Sequence, residues 1–229
     1  MKKVFKMQYL KILAITALAV GMALVSTGCT VVRISDGKII SGGNATDTDT
    51  YIGNDEFDAD TYIEELWEDQ ILTYVQENAK EYSELDEAIA ADFQTAGEEF
   101  GQTRSSNANN YSFVAKATGT VLEYNDESRV GYLSVDIQPY DGQEDFKVYV
   151  GPVFKGDSLR NAMPFIKFTD FQSQNDWAKV SKSLHTKIDE TLISQLDLPG
   201  LEGQEIEVYG AFTAAEDDEE RYLTPVLIQ

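Results

Sequence analysis

The sequence predicts an α+β domain: an N-terminal helical appendage, then a five-stranded antiparallel barrel in the order β-β-β-α-β-β. Three observations predict it. Apolar residues recur at helical spacing over 58–96, alternate in three runs between Tyr111 and Val150 that turns separate, and return to helical spacing near 175–196 before two more alternating runs close the chain. At 42% hydrophobic and 25% charged, the 229 residues are ordinary globular material, enough for one domain with tails. A half-buried sheet of five strands must also close or be covered to hide its edges, and the inserted helix can plug one end. This is the oligonucleotide/oligosaccharide-binding (OB) type of arrangement. The rival is an open antiparallel sheet with helices on one face.

The first helix starts from a cap at Asp58 or Asp60 and runs to about Lys80, with Ile63, Leu66, Trp67, Ile71, Tyr74 and Val75 on its apolar stripe. A second begins near Ser83, with Leu85, Ile89, Phe93 and Ala96 as its stripe, and the polar residues 101–110 end the helical region. Strands follow over Tyr111–Tyr124, around Leu133–Ile137 and over Phe146–Val150. The turns Asn125-Asp126-Glu127-Ser128 and Pro139-Tyr140-Asp141-Gly142 join them into a meander. The later helix, from about Asn175 to Leu196, turns Trp177, Val180, Leu184 and Ile188 inward and leaves His185 on the border of that stripe, packed or at the surface. Two strands, one through Ile206–Phe212 and one through Tyr222–Ile228, flank the acidic residues 216–220, which read as a solvated loop.

The first 28 residues form a separate organisation. Lys2, Lys3, Lys6 and Lys11 precede an apolar run from Ile12 to Val25, too short for a span of ~20 residues but right for an export signal. Leu24-Val25-Ser26-Thr27-Gly28-Cys29 then reads as a lipobox on the only cysteine, so Cys29 is the expected lipidation site. An ordinary signal peptide, or a short anchor helix with an incidental cysteine, is the plainer reading. The expected divisions are a lipoprotein signal peptide at 1–28, a lipid-anchored tether at 29–56, N-terminal helices at 57–100 and the barrel at 111–229. The helices and barrel pack as one domain. Within the tether, the polar stretch 41–50 ends in alternating Thr and Asp, but the glycine that follows the acids of a calcium loop and its closing glutamate are missing.

Charge narrows the partners. With 1–28 removed the chain holds 14 bases and 40 acids, a net charge of −26. Such a surface repels phosphate backbones, so no nucleic-acid partner is expected. One Cys and one His leave no cysteine-based zinc site, no multi-histidine site and a single histidine for acid–base chemistry, so no metal and no cofactor are expected. No nucleophile elbow, phosphate loop, HExxH or dinucleotide fingerprint is present, and no catalytic residue is assigned. The reading is of a protein that is not an enzyme, with an unrecognised hydrolase as a minor alternative.

Residues 151–188 read GPVFKGDSLRNAMPFIKFTDFQSQNDWAKVSKSLHTKI. This run resembles the predicted periplasmic lipoproteins grouped as domain of unknown function 2291. Gly151, Pro152, Val153, Gly156, Leu159, Arg160, Pro164, Phe165, Phe168, Phe171 and Gln174 match the pattern of that family. So do Gly28-Cys29-Thr30-Val31-Val32, Trp67 and Tyr209-Gly210-Ala211-Phe212, while Asn161 and Ser173 depart from it. The resemblance implies an OB-type barrel and a setting near sugar-uptake transporters of the ATP-binding-cassette (ABC) type. It implies no reaction and no ligand.

The candidate binding residues are Lys155, Asp157, Arg160, Asp170, Gln174 and Trp177, where polar groups alternate with Met163, Phe165, Phe168 and Phe171 over 151–177. The competing reading is a crossover whose phenylalanines fill the barrel mouth and whose Arg160 pairs with Asp157 or Asp170. The expected function is an envelope lipoprotein on the outer side of the cytoplasmic membrane, with inner versus outer membrane left open. It would act as an accessory module contacting a sugar ABC-transporter component or its solute-binding protein. The alternative is a direct small-molecule or glycan binder using 151–177. The sequence shows no hydrophobic docking patch, so a contact is expected to be polar and weak.

Overall fold

The computed structural model describes residues 33–35, 38–40, 57–103, 109–216, 218 and 220–229. The stretch read as an export signal, Cys29, residues 41–50, and Asp217 and Glu219 of the acidic loop lie outside the described residues. The chain divides between Glu56 and Phe57. In the first unit, β1 (Arg33–Ser35) and β2 (Lys38–Ile40) pair antiparallel with Arg33 opposite Ile40, inside the stretch read as a tether.

The second unit begins with one helical run made of α1 (Ala59–Leu66), a π-helical stretch (Trp67–Leu72) and α2 (Thr73–Asn78). Asp58 is the cap, its Oδ1 accepting from the Asp60 and Thr61 amides at 3.1 Å. Ile63, Trp67, Ile71 and Val75, each four residues on, are all buried. At ~3.6 residues per turn a four-residue step drifts ~40° round an α-helix, and the wider π turns cancel that drift to keep the four in line.

The expected single second helix is two, α3 (Tyr82–Ala91) and α4 (Phe93–Phe100). Asp92 is extended, φ −161° and ψ 98°, and accepts from the Thr95 amide at 2.8 Å. It therefore ends one helix and caps the next, which apolar spacing alone does not reveal.

The sheet contains β3 (Lys80–Glu81), β4 (Asn110–Asn125), β5 (Tyr132–Ile137), β6 (Phe146–Tyr149), β7 (Glu205–Ala215) and β8 (Tyr222–Ile228). β4–β5 and β5–β6 are the expected antiparallel meander. β7 lies antiparallel to β4 from Asn110↔Ala215 to Thr120↔Glu205, and antiparallel to β8. β6 meets β8 in parallel, Lys147 opposite Tyr222 and Val148 opposite Leu223. The hydrogen-bonded order is thus β4-β5-β6-β8-β7 with β7 returning to β4.

The expectation of an all-antiparallel five-stranded sheet is corrected: the sheet is mixed and has six strands. An odd ring cannot alternate direction all the way round, so one pair must run parallel. The sixth strand, β3, adds in parallel beside Ala115 and Lys116 of β4.

Phe113, Phe146 and Phe212 are fully buried, with Phe113 stacked on Phe212 at 5.3 Å. Tyr82 at the start of α3 meets Phe146 at 4.3 Å and Phe212 at 5.5 Å, tying the helices to the sheet. Truncating any of these three phenylalanines costs ~3–5 kcal/mol.

Between β6 and β7 run α5 (Ser158–Ala162), a 3₁₀ turn (Phe168–Asp170) and α6 (Gln174–Thr191). α6 is capped by Ser173, which accepts from the Asp176 amide at 3.1 Å. It stops short of Leu196, and a separate 3₁₀ turn covers Ile193–Gln195. The Ser183 hydroxyl donates to the Ala59 carbonyl at 3.0 Å, fastening α6 to α1. Among the described residues, no helix is long and apolar enough to cross a membrane.

Candidate functional site

The crossover of residues 151–177 is anchored at its start by close backbone contact. The Val150 and Gly151 amides both donate to the Gly131 carbonyl at 2.9 Å, and Val153 N–H donates to the Arg129 carbonyl at 3.0 Å. A Cβ on Gly151 would lie 2.3 Å from the Gly131 nitrogen, so only glycine fits. Gly156 turns the chain with φ +80°, a conformation open to glycine without strain. Leu159, Ala162, Met163 and Ile166 then enter the core, and the Ser158 and Thr224 hydroxyls meet at 2.8 Å.

Arg160 is the centre of this segment and is only 5% exposed. It pairs with Asp157 at 2.8 Å, the nearer of the two carboxylates proposed for it. One guanidinium nitrogen donates to the Trp177 carbonyl at 2.8 Å, and the Asn161 amide oxygen accepts from the other two at 3.1 and 3.3 Å. The guanidinium also lies over the Trp177 ring, 4.0 Å from its centroid. Arg160 thus clamps α5 to the first turn of α6.

Of the six sequence-chosen binding residues, the structure brings together Asp157, Arg160 and Trp177. Lys155 and Gln174 are exposed. Asp170 is exposed too and closes its own 3₁₀ turn, accepting from the Lys167 amide at 3.3 Å. His185, about two turns further along α6, stacks on Phe154 at 5.0 Å. Burial holds its pKa below the ordinary 6.5, Asp157 opposes that shift and Arg160 adds to it.

Beside the clamp is a feature that sequence reasoning missed. Phe57 and Tyr62 join Phe168, Phe171 and Trp177 in one aromatic corner. Phe171 meets Phe57 at 5.2 Å, Tyr62 at 5.5 Å and Trp177 at 5.4 Å, and Phe168 meets Trp177 edge-on at 5.8 Å. Phe168 is 47% exposed. The other four rings are partly buried. Part of the corner was legible: Phe57 precedes the cap Asp58 and packs on Tyr62 at 5.6 Å, the spacing of a hydrophobic staple.

Among the described residues, no group of three or more His, Cys, Asp or Glu side chains converges as metal ligands would. The clamp itself has its donors spent on protein acceptors. What the arrangement offers chemically is a cluster of aromatic rings in mutual contact, one of them half exposed, at the start of the second unit.

An OB-fold protein from Thermotoga maritima is similar in structure, with a TM-score of 0.63 at 18% identity over 76% of this chain and 98% of that one. The likeness establishes the fold. No curated protein matches the sequence. The family model described as predicted periplasmic lipoprotein (DUF2291) matches residues 19–229, which places the chain in the cell envelope with a lipid anchor. This chain belongs to the DUF2291 family of predicted periplasmic lipoproteins.

Proposed function

We propose that this protein is a non-catalytic docking module of the envelope: a barrel held to the membrane through Cys29 that contacts a component of a sugar ABC transporter or its solute-binding protein. The aromatic corner carries the reading. Its five rings are fixed by mutual contact, Phe168 stands half out of the surface, and Phe57 is the first residue after the tether. Aromatic side chains held rigid in this way are the residue class that anchors protein interfaces. The transporter as partner rests on the family resemblance. Direct glycan binding through 151–177 is supported less, because Arg160 is committed internally and covers one face of Trp177. Nucleic acid has no place in the proposal, since a net charge of −26 opposes it.

The test is a photo-crosslinking residue at Phe168 in intact cells, beside the same residue at Leu122, which is also exposed. Recovery of a transporter component or solute-binding protein from the Phe168 site alone supports the reading. Equal recovery from both sites, or none from either, removes it.

A further inference from the structure

A second surface lies on another part of the domain. A cleft of about 410 Å³ opens between β3, the start of α3, the middle of β4 and the β5–β6 loop. This is within the range of small-molecule pockets. Tyr140 stands at its rim with 46% of its surface exposed. The ring is nonetheless held in place: its hydroxyl donates to Glu205 at 3.1 Å, across 65 residues of sequence. The loop that carries it is pinned as well. Asp136 Oδ2 accepts from the Gly142 amide at 2.8 Å, Asp145 Oδ2 accepts from the Ile137 amide at 2.7 Å, and the Tyr82 hydroxyl donates to the Asp145 carbonyl at 3.3 Å. An exposed aromatic ring fixed by its polar end is a preorganised stacking face.

The polar groups around that face decide the chemistry. Glu81 and Glu205 supply carboxylate acceptors, the Ser83 and Thr118 hydroxyls both donate and accept, and Gln138 adds an amide. An anion would meet two carboxylates on a surface already strongly acidic. A bare cation would find Glu81 paired with Lys116 at 2.9 Å and Glu205 accepting from Tyr140. A purely apolar molecule would strip water from the rim without replacing its hydrogen bonds. Adjacent hydroxyls on a ring fit all of these groups. They donate to the carboxylates' remaining lone pairs and accept from Ser83 and Thr118, while the C–H face of the ring covers Tyr140.

We infer that this cleft binds a neutral, hydroxyl-rich small molecule of one or two rings. The site is independent of the aromatic corner. Saturation-transfer NMR on the lipidated mature chain, in a detergent without a sugar headgroup, tests it with D-glucose, D-xylose, myo-inositol and maltose as probes. Transfer to the ring C–H protons of at least one probe is expected. Binding should weaken about tenfold in Tyr140→Ala and in Glu205→Gln, both at exposed positions, and stay unchanged in Phe168→Ala. No transfer to any probe, or transfer unaffected by Tyr140→Ala in a variant that melts like the parent, overturns the inference. So does calorimetric binding of calcium alone that Glu205→Gln abolishes. Loss of crosslinking at Phe168 bears only on the docking proposal.

Discussion

The guanidinium of Arg160 lies 4.0 Å above the ring of Trp177 and donates to the carbonyl oxygen of that same residue at 2.8 Å. One side chain therefore fixes both the ring and the backbone of the first turn of α6. Because Arg160 is 5% exposed, replacing it should be felt as stability. Arg160→Ala is expected to cost ~1–3 kcal/mol, through loss of its hydrogen bonds to the Trp177 carbonyl and to Asn161. The Asp157 pair adds little, since that carboxylate is 44% exposed. Calorimetry would show a melting temperature several degrees lower. An unchanged melting temperature with lost partner capture would make Arg160 a contact residue instead.

Gly151→Ala should be costlier than its size implies. The added Cβ would fall 2.3 Å from the Gly131 nitrogen and 2.6 Å from the Arg129 carbonyl oxygen, both backbone atoms that cannot step aside. A loss of roughly 1–3 kcal/mol is expected on urea denaturation. Gly142→Ala is the contrast: nothing lies within 4 Å of a Cβ there, and only the positive φ of 79° opposes it. If the two variants unfold at the same urea concentration, crowding at Gly151 is not what selects glycine.

His185 predicts a pH dependence. Its folded pKa is held below 6.5 by burial, so the unfolded chain takes up the proton first as pH falls. The stability linked to His185 is full above about pH 7 and declines as pH drops through 6.5 toward the folded value. It is the only histidine in the chain, so a His185→Gln variant should flatten the melting-temperature profile between about pH 7.5 and 5.5 relative to the parent. Below that, Asp58 and Asp92 add a second decline. Their carboxyls are lowered from 3.8 chiefly by the Thr61 and Thr95 amides, and the caps are lost on protonation. Parallel profiles for parent and variant would mean that His185 titrates as it does when unfolded.

Mass spectrometry of the mature protein should find Cys29 as the first residue, carrying diacylglycerol and an amide-linked acyl chain. Two or three chains hold a protein on a bilayer where one does not. Detergent-phase partitioning should be lost in Cys29→Ser. A soluble chain that still begins at Met1 would contradict the lipid anchor.

Local sequence carries much of this fold because helix and strand periods are local. Ile63, Trp67, Ile71 and Val75 mark a buried helix face, and Phe146 and Val148 an inward strand face, without reference to any other part of the chain. The staple of Phe57 and Tyr62 is also local. The break at Asp92 is not, in practice, because an aspartate within an apolar repeat reads equally as a surface position or a cap, and only backbone geometry separates them.

What the tertiary structure alone decided is which distant groups meet. Nothing near Lys147 announces that Tyr222 will lie beside it in parallel, although the odd number of strands requires one such pair once the ring closes. Arg160 had two sequence-near carboxylates, and the short turn of α5 delivered Asp157 while Asp170 was spent closing its own turn. The aromatic corner gathers residues 57, 62, 168, 171 and 177, and the cleft gathers residues 81, 118, 140 and 205. Periodicity tells which side of an element faces inward. Which elements then face each other depends on long-range packing, whose free energy no single stretch of this chain contains.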